Sequence, residues 1–97
     1  MKNILNKITS IPAAAGKQNP TFANLIVAAL DVPPQGGFTP SVMRSRARVD
    51  AVLSVAKAGD MVELEDADFE TAKQAVASCP WQIRSPDLLE LFTLLGL

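Results

Sequence analysis

The chain predicts a small α+β fold dominated by helices, four to five of them short, with a minimal two-stranded element. Three observations lead there. Asn19-Pro20, Thr39-Pro40 and Ser85-Pro86 each pair a capping side chain with proline at the first helical position. Apolar residues follow each pair at helical spacing. Two short stretches, 61–65 and 81–84, instead alternate apolar with polar residues, as half-exposed strands do.

Taken in order, residues 3–9 place Ile4, Leu5 and Ile8 on one side of a short amphipathic helix. Seven residues cannot hold a helix alone, so the segment is either a frayed terminus or an arm that orders on its own core or on a neighbouring subunit. Residues 12–19 read as a linker, which divides the chain into an arm and linker, 1–19, and a compact helical domain, 20–97. From Asn19-Pro20, the residues Phe22, Leu25, Ile26, Ala29 and Leu30 form a buried stripe at i, i+3, i+4, i+7 and i+8. The continuous apolar run Leu25–Leu30 also fits a central strand, and a helix is preferred. Pro33-Pro34 ends this element.

The longest helix is expected from Pro40 to about Ala58, stopped by Gly59. Val42, Val49, Leu53 and Ala56 make one face, and the small apolar residues Met43, Ala47, Ala51 and Val55 lie on the other. Asp66 or Asp68 caps the next helix, which runs to about Ser78 with Phe69, Ala72, Ala75, Val76 and Cys79 inward. The last helix, 86–95, is apolar nearly all round and demands burial.

Composition narrows the function. The chain has 97 residues, of which 48% are hydrophobic and 20% charged, enough for one modest core. It contains no His and no Tyr, so the commonest general base and metal ligand and the Ser-His and Cys-His pairs are missing. No glycine-rich phosphate loop is present, and Cys79 is the only cysteine. No disulfide within the chain follows, and Cys79 reads as a small buried residue rather than an activated thiol. The sequence therefore points away from an enzyme and from any cofactor. The run Glu63, Glu65, Asp66, Asp68 and Glu70 lacks the central glycine and distant glutamate of a calcium loop. It is better read as helix-terminal carboxylates on a solvated face or a partner-binding patch.

Charge is divided by position. Residues 1–57 carry seven cations and two anions, +5, and residues 58–97 carry two cations and eight anions, −6. Separated fields of opposite sign favour head-to-tail or partner docking. Arg44 and Arg48 project together one turn apart, while Arg46 points nearly opposite, toward the Val42–Leu53 face and near Asp50. The three arginines do not share a face and read first as a solvated face or ion pairs within the molecule, then as a dock for an acidic protein surface. The 40–57 segment also competes as a DNA recognition helix, against an isoelectric point of about 5.2 and a lack of interleaved aromatics. Trp81 is a core or rim anchor, or an interface hot spot where exposed.

The stretch Gly36-Gly37-Phe38-Thr39-Pro40, with Met43-Arg44, Arg46, Leu64-Glu65-Asp66-Ala67-Asp68 and Trp81, resembles small uncharacterised accessory proteins encoded by bacteriophages, over about residues 36–92. The resemblance implies an accessory role in particle assembly or in regulation and carries over no functional residue.

The expectation is a non-enzymatic protein-interaction or assembly module, such as a virion component or assembly factor, that forms a homo-oligomer or docks on another protein. Its contacts are expected from Ile4, Leu5, Ile8, Arg44, Arg48, Glu63, Glu65, Asp68, Trp81, Leu91, Leu94, Leu95 and Leu97. The alternatives are a small DNA-binding regulator and an inhibitor of a host protein. No run of about 20 apolar residues and no signal peptide is evident, so a host cytoplasm or a virion is the expected location.

Overall fold

In the computed structural model, which describes residues 1–13 and 15–97, the order is β1 (Lys2–Leu5), α1 (Phe22–Leu30), α2 (Pro40–Leu53), β2 (Met61–Leu64), α3 (Asp66–Ser78) and α4 (Pro86–Leu94). This is a helix-dominated α+β fold, as the sequence predicts. Residue 14 of the expected 12–19 linker lies outside the described residues.

The two strands pair antiparallel, with Ile4 opposite Val62 and Leu5 opposite Met61. Here the sequence reading is corrected twice. Residues 3–9 form a strand and an isolated bridge (Ile8 to Thr21) rather than a short helix. Asn3, Asn6 and Thr9 are poor helix formers, and pairing with β2 supplies hydrogen bonds that a seven-residue helix cannot retain. Trp81–Arg84 is not a strand; β2 takes β1, far away in sequence, as its partner.

Asn6 fixes this arrangement. Its side chain is 1% exposed, donates to the Lys57 carbonyl at 2.9 Å and accepts the Ala23 N–H at 2.8 Å. Its backbone N–H reaches the Asp60 carbonyl, and its own carbonyl accepts from Gly59 N–H. Gly59, at φ +89°, therefore shapes the turn into β2 rather than stopping α2. That helix ends at Leu53: Ala56 N–H turns back to the Leu53 carbonyl and Lys57 N–H is taken by Asp60 Oδ2, so the expected extension to Ala58 does not form.

The apolar run Leu25–Leu30 lies in α1, a helix as preferred. Its cap is Thr21, not Asn19. The Thr21 hydroxyl accepts Asn24 N–H while the Asn24 side chain accepts Thr21 N–H, a reciprocal capping box. Pro20 stays extended because its carbonyl receives both the N–H and the hydroxyl of Thr9. The first N–H groups of α1 are all partnered: Phe22 by Lys7 O, Ala23 by Asn6, Asn24 and Leu25 by Thr21. Thr39 and Ser85 cap α2 and α4 with their hydroxyls, each before a proline.

At its other end α1 is closed by Arg46. The buried guanidinium donates from Nη1 to the carbonyls of Leu30 at 3.0 Å and Val32 at 2.6 Å, and lies over the Phe38 ring at 5.6 Å. A cation at a helix C-terminus offsets the carbonyl end of the macrodipole. The core gathers Ile26, Ala29, Val49, Leu64, Ala72 and Val76, joined by Leu88, Leu91 and Leu95 of the α4 segment.

Candidate functional site

Ion pairs join the two halves of the charge pattern inside the molecule. Lys7 Nζ holds both Glu90 carboxylate oxygens at 2.8 and 3.0 Å. Arg48 Nε donates to Asp68 Oδ1 at 2.9 Å, with the Asp68 side chain 8% exposed. The Met1 ammonium lies 3.3 Å from Asp66. Glu90 hydrogen bonding holds Lys7 above its ordinary ammonium value. Discounting Lys7–Glu90 and Arg48–Asp68 takes the halves from +5 to +3 and from −6 to −4. The split persists, reduced.

The three arginines of α2 have three different roles. Arg46 is buried on the α1 carbonyls, Arg48 holds Asp68, and Arg44 is exposed without an ion-pair partner among the described residues. Arg44 and Arg48 do not act as a free pair. Asp68, expected as a cap of α3, is turned to Arg48, and Glu65 stands at the cap position with no side-chain cap bond. Glu63, Glu65 and Glu70 remain exposed at the corner between β2 and α3.

Of the apolar residues expected at an interface, Ile4, Leu91 and Leu95 are buried in the chain's own core. They are consumed by folding: Ile4 faces Val62 across the sheet, and α4 buries Leu88, Leu91 and Leu95 as one side. Leu5, Ile8, Leu94 and Leu97 are exposed. Trp81 is half-buried; its indole N–H donates to the Val76 carbonyl at 3.1 Å, and its ring sits 6.3 Å from that of Phe92. The two rings wall a cleft of about 280 Å³ with Ile83, Arg84 and Leu89. A neighbouring cleft of about 300 Å³ shares both rings and adds Leu97. Leu89, Ile83 and Phe92 were not singled out from the sequence. Leu89 sits at a helical offset from Leu88 that the burial of Leu88, Leu91 and Leu95 leaves outside, a distinction invisible while the whole helix reads as apolar.

A third cleft of about 360 Å³ runs between the end of β1 and α4, lined by Leu5, Lys7, Phe22, Glu90, Thr93 and Leu94. A polar groove between α2 and α3 is lined by Ser41, Ser45, Thr71, Gln74 and Ser78. The Thr71 and Ser78 hydroxyls are spent on the Ala67 and Gln74 carbonyls.

At the start of α4, Asp87 accepts from Ser10 Oγ at 2.6 Å and Ser10 N–H at 3.2 Å. These bonds hold its carboxyl below the ordinary value near 3.8. Burial pushes the Cys79 thiol up, away from the reactive thiolate. Among the described residues no group of three or more cysteine or carboxylate side chains is placed to hold a metal ion, and no helix is long and apolar enough to cross a membrane. Comparison with protein-family models, curated proteins and solved structures gave no match.

Proposed function

We propose that this protein is a non-enzymatic assembly module that associates with copies of itself through surfaces of opposite charge. An accessory role in a phage particle or its assembly, as the sequence resemblance implies, fits such a module. The observation that carries this is the exposed carboxylate corner of Glu63, Glu65 and Glu70, left without ion pairs among the described residues while Arg44 and Lys57 of the basic half are likewise exposed and unpaired. The ion pairs inside the fold already join first-half cations to second-half anions, so the same complementarity is available between molecules.

The test is the mass in solution by light scattering over a range of concentrations, at about 0.05 M and 1 M salt. Screening lengths shrink to about 3 Å at 1 M. A mass above one chain that falls at high salt supports self-association; a one-chain mass throughout overturns it. Docking of a different protein is favoured by one separate observation, the Trp81–Phe92 clefts with exposed Ile83 and Leu89 beside them. That reading takes over where the protein stays monomeric.

A further inference from the structure

β1 and β2 form a sheet of only two strands, so each has one paired edge and one open edge. The directions of the backbone groups follow from Asn6, whose N–H points toward β2 and bonds Asp60 O. N–H directions alternate along a strand. Ile4 and Lys2 therefore also point at β2, whereas Asn3 and Leu5 point away from it. By register, Glu63 and Met61 point away from β1 on the other side. These four residues are all exposed. Outside the ladder, the Asn3 N–H and C=O, the Leu5 N–H, and the N–H and C=O of Met61 and Glu63 have no hydrogen-bond partner among the described residues. Leu5 O alone is taken, by Lys7 N–H at 2.9 Å. Neither strand carries a proline or bulge that would block pairing.

The two open edges differ in sign. β1 has Lys2 and no carboxylate, Lys7 beyond it being already paired with Glu90; β2 has Glu63, with Glu65 just beyond it, and no cation. A β1–β1 contact would bring cations together, and a β2–β2 contact would bring carboxylates together, both unfavourable. Pairing unlike edges avoids both. It also continues the apolar row on the sheet's solvent side, where Leu5 and Met61, 43% and 62% exposed, already stand opposite each other.

We propose that the open β1 edge of one molecule pairs antiparallel with the open β2 edge of a second copy, so that the sheet extends head to tail from molecule to molecule. This rests on the self-association reading and names its contact. The Asn3 and Leu5 backbone groups of one copy meet Glu63 and Met61 of the next, in the register the chain uses within itself. Such a heterologous contact leaves one edge open at each end, so it closes into a ring or grows.

Two variants test it. Asn3→Pro blocks the β1 edge and Met61→Pro the β2 edge. Both replaced N–H groups point outward, so neither ladder loses a bond, and proline is tolerated at such positions. Circular dichroism and thermal unfolding check each fold. The expected result is that the wild-type mass rises with concentration, each variant alone stays at one chain, and an equimolar mixture gives the mass of two chains and no more. Should a proline variant fail to fold, Glu63→Lys reverses the β2 edge without touching the backbone. It is expected to abolish self-association and to co-assemble in alternation with Lys2→Glu, which alone also stays at one chain. Wild-type protein at one-chain mass throughout would overturn self-association altogether. Wild-type association that both proline variants retain would overturn the edge contact alone. Met61→Pro still dimerising while Asn3→Pro does not would replace it with a symmetric β1–β1 contact.

Discussion

Replacing Asn6 by alanine isolates the contact that closes the fold. The side chain spans two remote segments: its Nδ2 donates to Lys57 O and its Oδ1 accepts Ala23 N–H. Ala23 is 3% exposed, so its amide would be left buried and unpaired, at about 1–3 kcal/mol. Lys57 is an exposed residue, and water can replace much of its lost bond, leaving about 1 kcal/mol. Asn6→Ala is therefore expected to cost about 3 kcal/mol, a large share of the 5–15 kcal/mol typical of a domain. At about 4–8 °C per kcal/mol for this chain length, the melting temperature falls by roughly 12–24 °C. The control is Asn3→Ala, the same residue type three positions earlier, within β1 and exposed, expected to stay within about 0.5 kcal/mol of wild type. Urea unfolding of both variants with a shared m-value is the assay. Equal stabilities for the two variants would refute the assignment of Asn6 as the fold's closing contact.

Further outcomes are expected. Arg46→Met should destabilise by about 2–4 kcal/mol in urea unfolding, because the last carbonyls of α1 lose a charged donor; Arg46→Lys should recover only part, lacking the planar fork. Leu91→Ala should cost about 2–5 kcal/mol and Leu89→Ala less than about 0.5 kcal/mol, since only the former is buried. Asp87 has a lowered carboxyl value in the fold, so its bonds to Ser10 contribute stability above the ordinary carboxylate range and lose it as pH falls. Ser10→Ala should consequently melt below wild type at pH 7, with the gap closing below about pH 4; a gap unchanged down to pH 2 would contradict this. Nucleic-acid binding measured at low salt should be unaffected by Arg46→Met beyond its effect on folding, because that side chain faces α1 rather than solvent.

The parts of this fold that the sequence revealed are those determined locally. Thr39-Pro40 and Ser85-Pro86 announce α2 and α4 because a cap hydroxyl and its N–H partner sit within three residues of each other. Met61–Leu64 shows its own alternation and is a strand. What could not be read was settled by remote partners. Lys2–Leu5 becomes a strand only because β2 exists, and the apolar spacing of Ile4, Leu5 and Ile8 fits either period over so short a run. Arg46 was placed near the inner face of its helix, but its role depends on carbonyls sixteen and fourteen residues back along the chain. Asp68 had a local use as a cap and a distant use as the partner of Arg48, and the distant one prevailed. For the candidate site the same holds. An all-apolar α4 gives no clue to which leucines fold the chain and which meet solvent, so Leu91 and Leu95 were grouped with Leu94 and Leu97.

The pairing of β1 with β2 carries a consequence for the order in which this molecule assembles itself. α1 meets α2, and α2 meets α3, over shorter stretches of chain than the sheet, which must bring residue 5 back to residue 61. Closing so long a loop costs entropy before any ladder bond repays it. On that ground the helices are expected to collapse first and the N-terminal strand to zip on late, with Asn6 as its latch. During that interval β2 stands with both edges bare, and a nascent chain would offer its neighbours the inner edge that β1 covers in the finished protein.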